Sequence, residues 1–285
     1  MRSRNEKRHV AVVCPNDEGT RGAVCRAIDE GFADVTLVGC DSDAMQAMSR
    51  YGEKVRFVDA ADVDDAAAKA VALARSGEVD VLMKGLLNTD NLLKAVLNKE
   101  EGILPKGRVL THLTCALIPQ LGRMLLMTDV AVIPYPTKEQ REQQLRYLLD
   151  LARNMGIEEP RVALINCSEK VNAKHFPFTV EYQELIAQAK EGSFGPCIVD
   201  GPLDLKTALS PEALHKKGLE SPLEGLSDGL IFPDIQSGNV FYKSITFLAA
   251  AKTAAILAGP QVPVVLTSRA DSADSKFYSL ALACI

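Results

Sequence analysis

The sequence predicts an α/β protein of two lobes, each built on a mainly parallel sheet, with a cleft between them. Short apolar runs alternate with amphipathic helical stretches along most of the 285 residues, joined by short connections. The runs number about ten, which is many for one sheet and suits two. A break between lobes is expected near Tyr135-Pro136-Thr137.

Residues 10–13, 35–38, 55–58 and 81–83 are short runs dominated by valine and other apolar residues and read as strands. Helical patterns fall between them at 22–30, 43–51 and 61–75, the last rich in alanine, and a further helix is expected over 90–98. Residues 109–114, 124–127 and 130–133 read as three strands with little helix between them, which predicts an antiparallel addition or an interface. Thr137 and Gln140 form a capping box, and the helix they start puts Leu145, Leu148, Leu149, Ala152 and Met155 on one face before Gly156 stops it. Strands at 162–165, 197–199 and 230–232 follow, with helices near 180–190 and 205–209. A long helix over 240–257, a strand at 262–266 and a terminal helix complete the chain.

A net charge of −5 argues against a general nucleic-acid binder and leaves room for a small anionic ligand. The 7 cysteines are scattered with no C-x-x-C, so neither a zinc knuckle nor a thioredoxin motif is indicated. The basic start runs into an apolar stretch that ends at Cys14-Pro15, too short for a signal peptide, and Lys252 interrupts the best membrane candidate. A reduced cytoplasm is the expected compartment, with no membrane partner.

Several motifs fail. No two glycines are separated by a single residue, so the dinucleotide fingerprint is missing, and there is no P-loop. Gly225-Leu226-Ser227-Asp228-Gly229 matches G-x-S-x-G, but its strand follows the serine and all 4 histidines precede it. His112 and Cys115 would face opposite sides of a strand, which disfavours a metal pair. Asp59, Asp62, Asp64 and Asp65 suit a solvated helix start better than a magnesium site.

Two loops carry chemistry. Thr267-Ser268-Arg269 closes an apolar run and precedes a helix, so a hydroxyl and a guanidinium sit at the carboxyl end of a strand, where open parallel sheets bind ligands. The planar fork of Arg269 suits phosphate or carboxylate, and Ser268 with the next helix's first amides adds neutral donors. The structural alternative makes Ser268 or Asp271 an N-cap. The second loop, Pro233-Asp234-Ile235-Gln236-Ser237-Gly238-Asn239, follows the strand at 230–232; Asp234 suits capping or substrate contact equally.

Three blocks together resemble the phosphate acetyltransferase and phosphate butyryltransferase family. They are Met83-Lys84-Gly85-Leu86-Leu87-Asn88-Thr89, the stretch from Ile231 to Lys243, and Thr267-Ser268-Arg269-Ala270-Asp271-Ser272, with Asp200-Gly201-Pro202-Leu203 in support. Lys84 and Thr267 make the chain resemble the butyryl branch, where acetyl-type members carry a small residue and a leucine. The resemblance implies the fold of isocitrate and isopropylmalate dehydrogenases, a homodimer or higher homo-oligomer, and a C-terminus that completes the first domain. Residues 1–135 plus 266–285 are then the first domain and 136–265 the second.

The implied reaction exchanges a short acyl group, butyryl by preference, between CoA and inorganic phosphate. Acyl-CoA and phosphate are substrates, and no metal or tightly bound cofactor is needed. By the same resemblance Arg269 holds phosphate and Ser268 donates to the transition state. Lys84, Asn88, Thr89, Asp234, Ser237, Gly238 and Asn239 complete the pocket. Proton exchange at the CoA sulfur falls to Asp274, with Asp271 the alternative. Competing readings are a phosphate acetyltransferase, a metal-dependent hydroxyacid dehydrogenase of the same fold, and a non-catalytic binder of phosphorylated ligands.

Overall fold

In the computed structural model the described residues are 7–267 and 271–285. The chain divides into two units, Met1–Leu110 with Thr253–Ile285, and Thr111–Lys252. The boundaries therefore fall after Leu110 and Lys252 rather than after residues 135 and 265. The antiparallel pair before residue 135 joins the second unit's sheet, and the strand after Lys252 joins the first unit's.

The first unit runs β1 (Arg8–Val13), α1 (Glu18–Asp29), β2 (Ala33–Val38), α2 (Ser42–Met48), β3 (Val55–Val58), α3 (Val63–Ser76), β4 (Val81–Lys84) and α4 (Thr89–Val96). Its strand order is β3-β2-β1-β4, extended by β11 (Val264–Val265) and β10 (Lys252–Ala258), and all neighbours are parallel except β10 with β11. β1, β2 and β4 are buried at their centres, where Val10, Val12, Val35, Leu37, Val81, Leu82 and Met83 have no exposed surface, whereas the end strand β3 leaves Arg56 exposed and Phe57 and Val58 half-buried. α10 (Ala273–Ala283) closes the unit against α1, with Phe32 edge-on to Phe277.

The second unit runs β5 (Thr111–Ile118), β6 (Arg123–Thr128), α5 (Lys138–Asn154), β7 (Arg161–Ile165), α6 (Phe178–Lys190), β8 (Ile198–Leu203), α7 (Leu205–Leu209), α8 (Pro211–Lys216), β9 (Gly229–Ile231) and α9 (Ile235–Phe247). Its order is β5-β6-β9-β7-β8, parallel except for the β5–β6 hairpin, the antiparallel addition expected there. The capping box at the start of α5 is formed in both directions by Thr137 and Gln140. Met127, Ala163, Leu230 and Phe232 form the centre of the core with Ile245 of α9.

Three expectations are corrected. Residues 130–133 form a turn rather than a strand, because the Asp129 carboxylate collects the amides of Ala131, Val132 and Ile133. The long helix over 240–257 is two elements: α9 starts earlier, at Ile235, and stops at Phe247, and β10 begins at Lys252. Alanine favours helix, but here sheet pairing overrides that preference, and Ala250 turns the chain with a φ of 49°. The strand expected at 262–266 is shorter, Val264–Val265, and α8 was not anticipated.

Candidate active site

In the first unit β1 has β2 on one side and β4 on the other, so the chain's crossovers diverge between β1 and β4. Such a switch point opens a crevice at the carboxyl ends of the strands. Two loops leave there side by side: the amides of Gly85 and Leu86 donate to the carbonyls of Val13 and Cys14, at 2.8 and 2.7 Å. A side chain at Gly85 would stand 2.3 Å from the Cys14 carbonyl oxygen, so this close approach requires glycine. β11 lies parallel beside β4, with Val265 opposite Met83, so both strands end at the same edge.

Lys84, Asn88 and Thr89 all belong to this edge. Lys84 is buried, and its Nζ donates to the carbonyls of Gly85 and Leu87 at 3.3 and 3.0 Å, so the ammonium organises the loop that carries Asn88. Asn88 takes the N-cap position of α4 without a side-chain cap bond, and Thr89 opens the helix; both are exposed. Ser268 and Arg269 lie outside the described residues.

The far end of that segment is well fixed. Ser272, rather than Ser268 or Asp271, caps α10 by accepting from the Ser275 amide. Asp274 sits in the first turn, largely exposed, its carboxylate 3.3 Å from Arg26 of α1. Two residues on, Lys276 is buried and donates to Asp17 Oδ1 at 2.8 Å and Thr20 Oγ1 at 3.3 Å. Asp17 also caps α1 through the Thr20 amide. Burial pushes its carboxyl up, but the hydrogen bonds from Lys276 and Thr20 and the lysine's charge outweigh that and hold it below the usual range.

Asp234, Ser237, Gly238 and Asn239 come together in the second unit, at the carboxyl end of β9. What the sequence suggests as a loop is the first turn of α9. Asp234 is its N-cap, accepting from the Ser237 amide at 2.8 Å, and Ser237 Oγ donates to the Asp234 carbonyl. Asn239 donates to the Val130 carbonyl at 2.9 Å. A Cβ at Gly238 would come within 2.3 Å of the Asp129 carbonyl, so glycine lets α9 dock on the turn that Asp129 builds. Arg141 supports the start of α9: it donates to the Pro233 carbonyl and to Glu181, with Phe178 and Tyr182 against its guanidinium.

α9 is flanked by two apolar grooves. One, of ≈ 720 Å³, is lined by Phe176, Phe178, Phe232 and Phe241 and reaches Asp234 and Ser237; the other, of ≈ 470 Å³, is lined by Lys243, Phe247 and Leu248. Val240, Ser244 and Leu248 line both. Ser227 of the G-x-S-x-G match is buried and donates to the Ala208 carbonyl, a structural bond. Among the described residues no group of three or more His, Cys, Asp or Glu side chains is arranged to hold a metal, and no helix is long and apolar enough to cross a membrane.

The sequence pattern of the family described as "Phosphate acetyl/butaryl transferase" matches residues 44–284. The chain belongs to this family. It is 39% identical to the phosphate butyryltransferase of Clostridium acetobutylicum over 98% of the chain and 93% of that protein. It is 36% identical to the phosphate acetyltransferase of Thermotoga maritima over 99% of the chain and 96% of that protein. The crystal structure of a branched-chain phosphotransacylase from Enterococcus faecalis V583 superposes with a TM-score of 0.83 at 30% identity, covering 96% of the chain and 97% of that structure. As a family member the chain is a phosphate acyltransferase, and the mixed α/β fold with mainly parallel sheets is the family's.

Sequence reasoning missed three organising residues. Asp129 follows an apolar run, and nothing local marks a carboxylate that will gather amides. Lys276 could have been found: it lies at helical spacing with Leu280 and Ala283 on the face α10 buries. Arg141 lies on the buried side of an amphipathic helix, a position where arginine needs partners.

Proposed function

We propose that this phosphate acyltransferase works on butyryl-CoA in preference to acetyl-CoA, and that Ser268 and Arg269 carry the reaction. The observation that supports this is that β11 runs parallel beside β4 and ends at Val265, opposite Met83, so that the chain enters the Thr267-Ser268-Arg269 sequence from the carboxyl end of a strand, where parallel sheets bind ligands. Lys84 and Thr267 support the butyryl branch.

A phosphate oxygen attacks the thioester carbon, the C–S bond breaks, and CoA leaves as thiolate. Arg269 holds the phosphate dianion by a two-pronged contact, and Ser268 donates to the oxygen that gains charge. Asp274, five residues past Arg269, exchanges the proton with sulfur once it leaves its ion pair with Arg26, and Asp271 is the second carboxylate in reach along the chain. Lys84, Asn88 and Thr89 contribute from the β4 loop, and Asp234, Ser237, Gly238 and Asn239 from the first turn of α9. No metal or tightly bound cofactor takes part, and the enzyme works in the cytoplasm.

The working form is a homodimer. The second copy covers α9, where Val240, Phe247 and Leu248 are 66%, 86% and 75% exposed between two apolar grooves. Apolar surface of that extent on one helix needs a partner.

Thiol release from acetyl-CoA and butyryl-CoA, with and without phosphate and with and without EDTA, tests the reading. It requires phosphate-dependent release that survives the chelator and a higher kcat/KM for butyryl-CoA. Each extra buried methylene favours the longer chain by about 0.8 kcal/mol. Preference for acetyl-CoA would overturn the branch, and release independent of phosphate would overturn the reaction.

A further inference from the structure

We propose that the second unit holds the adenine nucleotide end of acyl-CoA, with the base in the ≈ 720 Å³ aromatic groove beside α9 and the phosphates over Lys170 and Lys174. This rests on the reading that acyl-CoA is the substrate, and not on which residues carry the chemistry.

The groove lies where the second unit's sheet favours a ligand. β7 has β8 on one side and β9 on the other, so the chain's crossovers diverge at β7. The crevice at such a point opens outside the carboxyl ends of the strands. Asn166, directly after β7, and Phe232, directly after β9, both line the groove, as does Leu205 just past β8. Its volume is that of a small-molecule site. Phe247, on the face assigned to a second copy, lines the smaller groove and not this one.

The lining selects a base over an acyl chain. Its rings come as two pairs from separate segments: Phe176 with Phe178, centroids 6.0 Å apart, and Phe232 with Phe241, 5.4 Å apart. A flat π face stacks on such rings, whereas a short acyl chain needs only a small part of this space. Asp234 lies half-buried at the edge of the groove. A carboxylate repels phosphate but accepts a hydrogen bond from an exocyclic amino group, which adenine has. Cations for the phosphates stand on the segment that supplies Phe176. Asn172 and Phe176 pair across a tight turn, which puts Lys174 and His175 at its tip. Lys170 and Lys174 are exposed, and among the described residues neither joins an ion pair, whereas Lys217 is held by Glu169 and Asp204. Such ammonium groups bind phosphate as point charges.

Butyryl-pantetheine carries the same thioester without the nucleotide, and so separates the two ends of the substrate. Wild type is expected to use butyryl-CoA with a kcat/KM at least about tenfold above that for butyryl-pantetheine. Phe176→Ala, and Lys170→Glu combined with Lys174→Glu, are each expected to raise KM for butyryl-CoA about tenfold at unchanged kcat, and to leave kcat/KM for butyryl-pantetheine within about twofold of wild type. Phe176→Tyr keeps a ring and is expected to keep the wild-type KM. The lysine variant replaces only exposed side chains, which keeps the test open should Phe176→Ala fail to fold. A wild-type KM for butyryl-CoA in either folded variant would overturn the proposal. Equal losses with both substrates would mean that the groove holds the acyl chain or merely shapes the fold, and would equally overturn it, as would a wild type that favours neither substrate. Wild-type thiol release that does not depend on phosphate removes instead the reading beneath it.

Discussion

Lys276 Nζ lies 2.8 Å from Asp17 Oδ1, tying the helix that follows the Thr267–Asp271 segment to the first helix of the chain. The pair is largely buried, with side chains 6% and 23% exposed. Arg26 of α1 adds a second tie, meeting Asp274 and lying over the Phe277 ring at 3.7 Å. Removing one partner of a buried pair strands the other, so Lys276→Met should destabilise the fold by about 3 kcal/mol. The linkage has a sign. Asp17 is held below its ordinary pKa, so its contribution is complete above the carboxylate range and fades as pH falls through the depressed value. Thermal melts from pH 7 to pH 3 should show the stability gap between wild type and Lys276→Met shrinking toward acid. A gap that widens toward acid would contradict this assignment.

Asp274 is exposed, and its ion pair with Arg26 is of the kind that contributes under about 1 kcal/mol. Asp274→Asn should therefore leave the melting temperature almost unchanged. If Asp274 exchanges the proton at sulfur, kcat should fall about 100-fold or more. The same loss in Asp271→Asn, with Asp274→Asn fully active, would transfer the role to Asp271.

Three cysteines whose thiols are pushed up should be inert as the protein stands. Burial, helped by the charges of Asp41, Cys14 and Asp59, pushes the Cys40 thiol up to about 12. Burial pushes Cys115 up to about 11 and, against the pull of Arg8, Cys284 up to about 12. Only the thiolate is a good nucleophile. Iodoacetamide at pH 8 should leave these three unmodified in the native protein and alkylate all 7 cysteines in urea, as read by peptide mass mapping. Rapid native labelling of Cys40 would contradict the raised thiol described for it.

The exposed face of α9 should govern assembly. Phe247→Glu and Leu248→Glu place a charge where a second copy would bury apolar surface, and burying an unpaired carboxylate is strongly unfavourable. Sedimentation should show a dimer for wild type and a monomer for either variant. A wild type that stays monomeric at micromolar concentration would remove this interface.

Much of the first unit is legible in the sequence because its strands are buried on both faces and so read as unbroken apolar runs, as Val10 to Val13 and Val81 to Met83 do. The capping box at Thr137 is legible because its signal is local. The passage from α9 to β10 is not: alanine runs favour helix, and the strand exists because β11 offers a pairing edge from a later segment. Residues 130–133 mislead for a similar reason, since four apolar residues imitate a strand until Asp129 draws their amides into a turn. At the candidate site the sequence identifies the loops by their polar residues at strand ends. It misses Arg141 and Lys276, whose partners lie far along the chain, and Asp129, whose carboxylate turns back onto the amides that follow it.

The central claim is that Arg269 holds the phosphoryl group, and steady-state kinetics on Arg269→Lys and Arg269→Ala test it most directly. Lysine keeps the charge but loses the two-pronged contact, so even this substitution should raise phosphate KM and lower kcat. Loss of a pre-oriented donor of roughly 3–4 kcal/mol corresponds to a few hundredfold or more in kcat/KM for phosphate. Circular dichroism establishes that each variant is folded. A folded Arg269→Ala enzyme with wild-type kcat and phosphate KM would contradict the account.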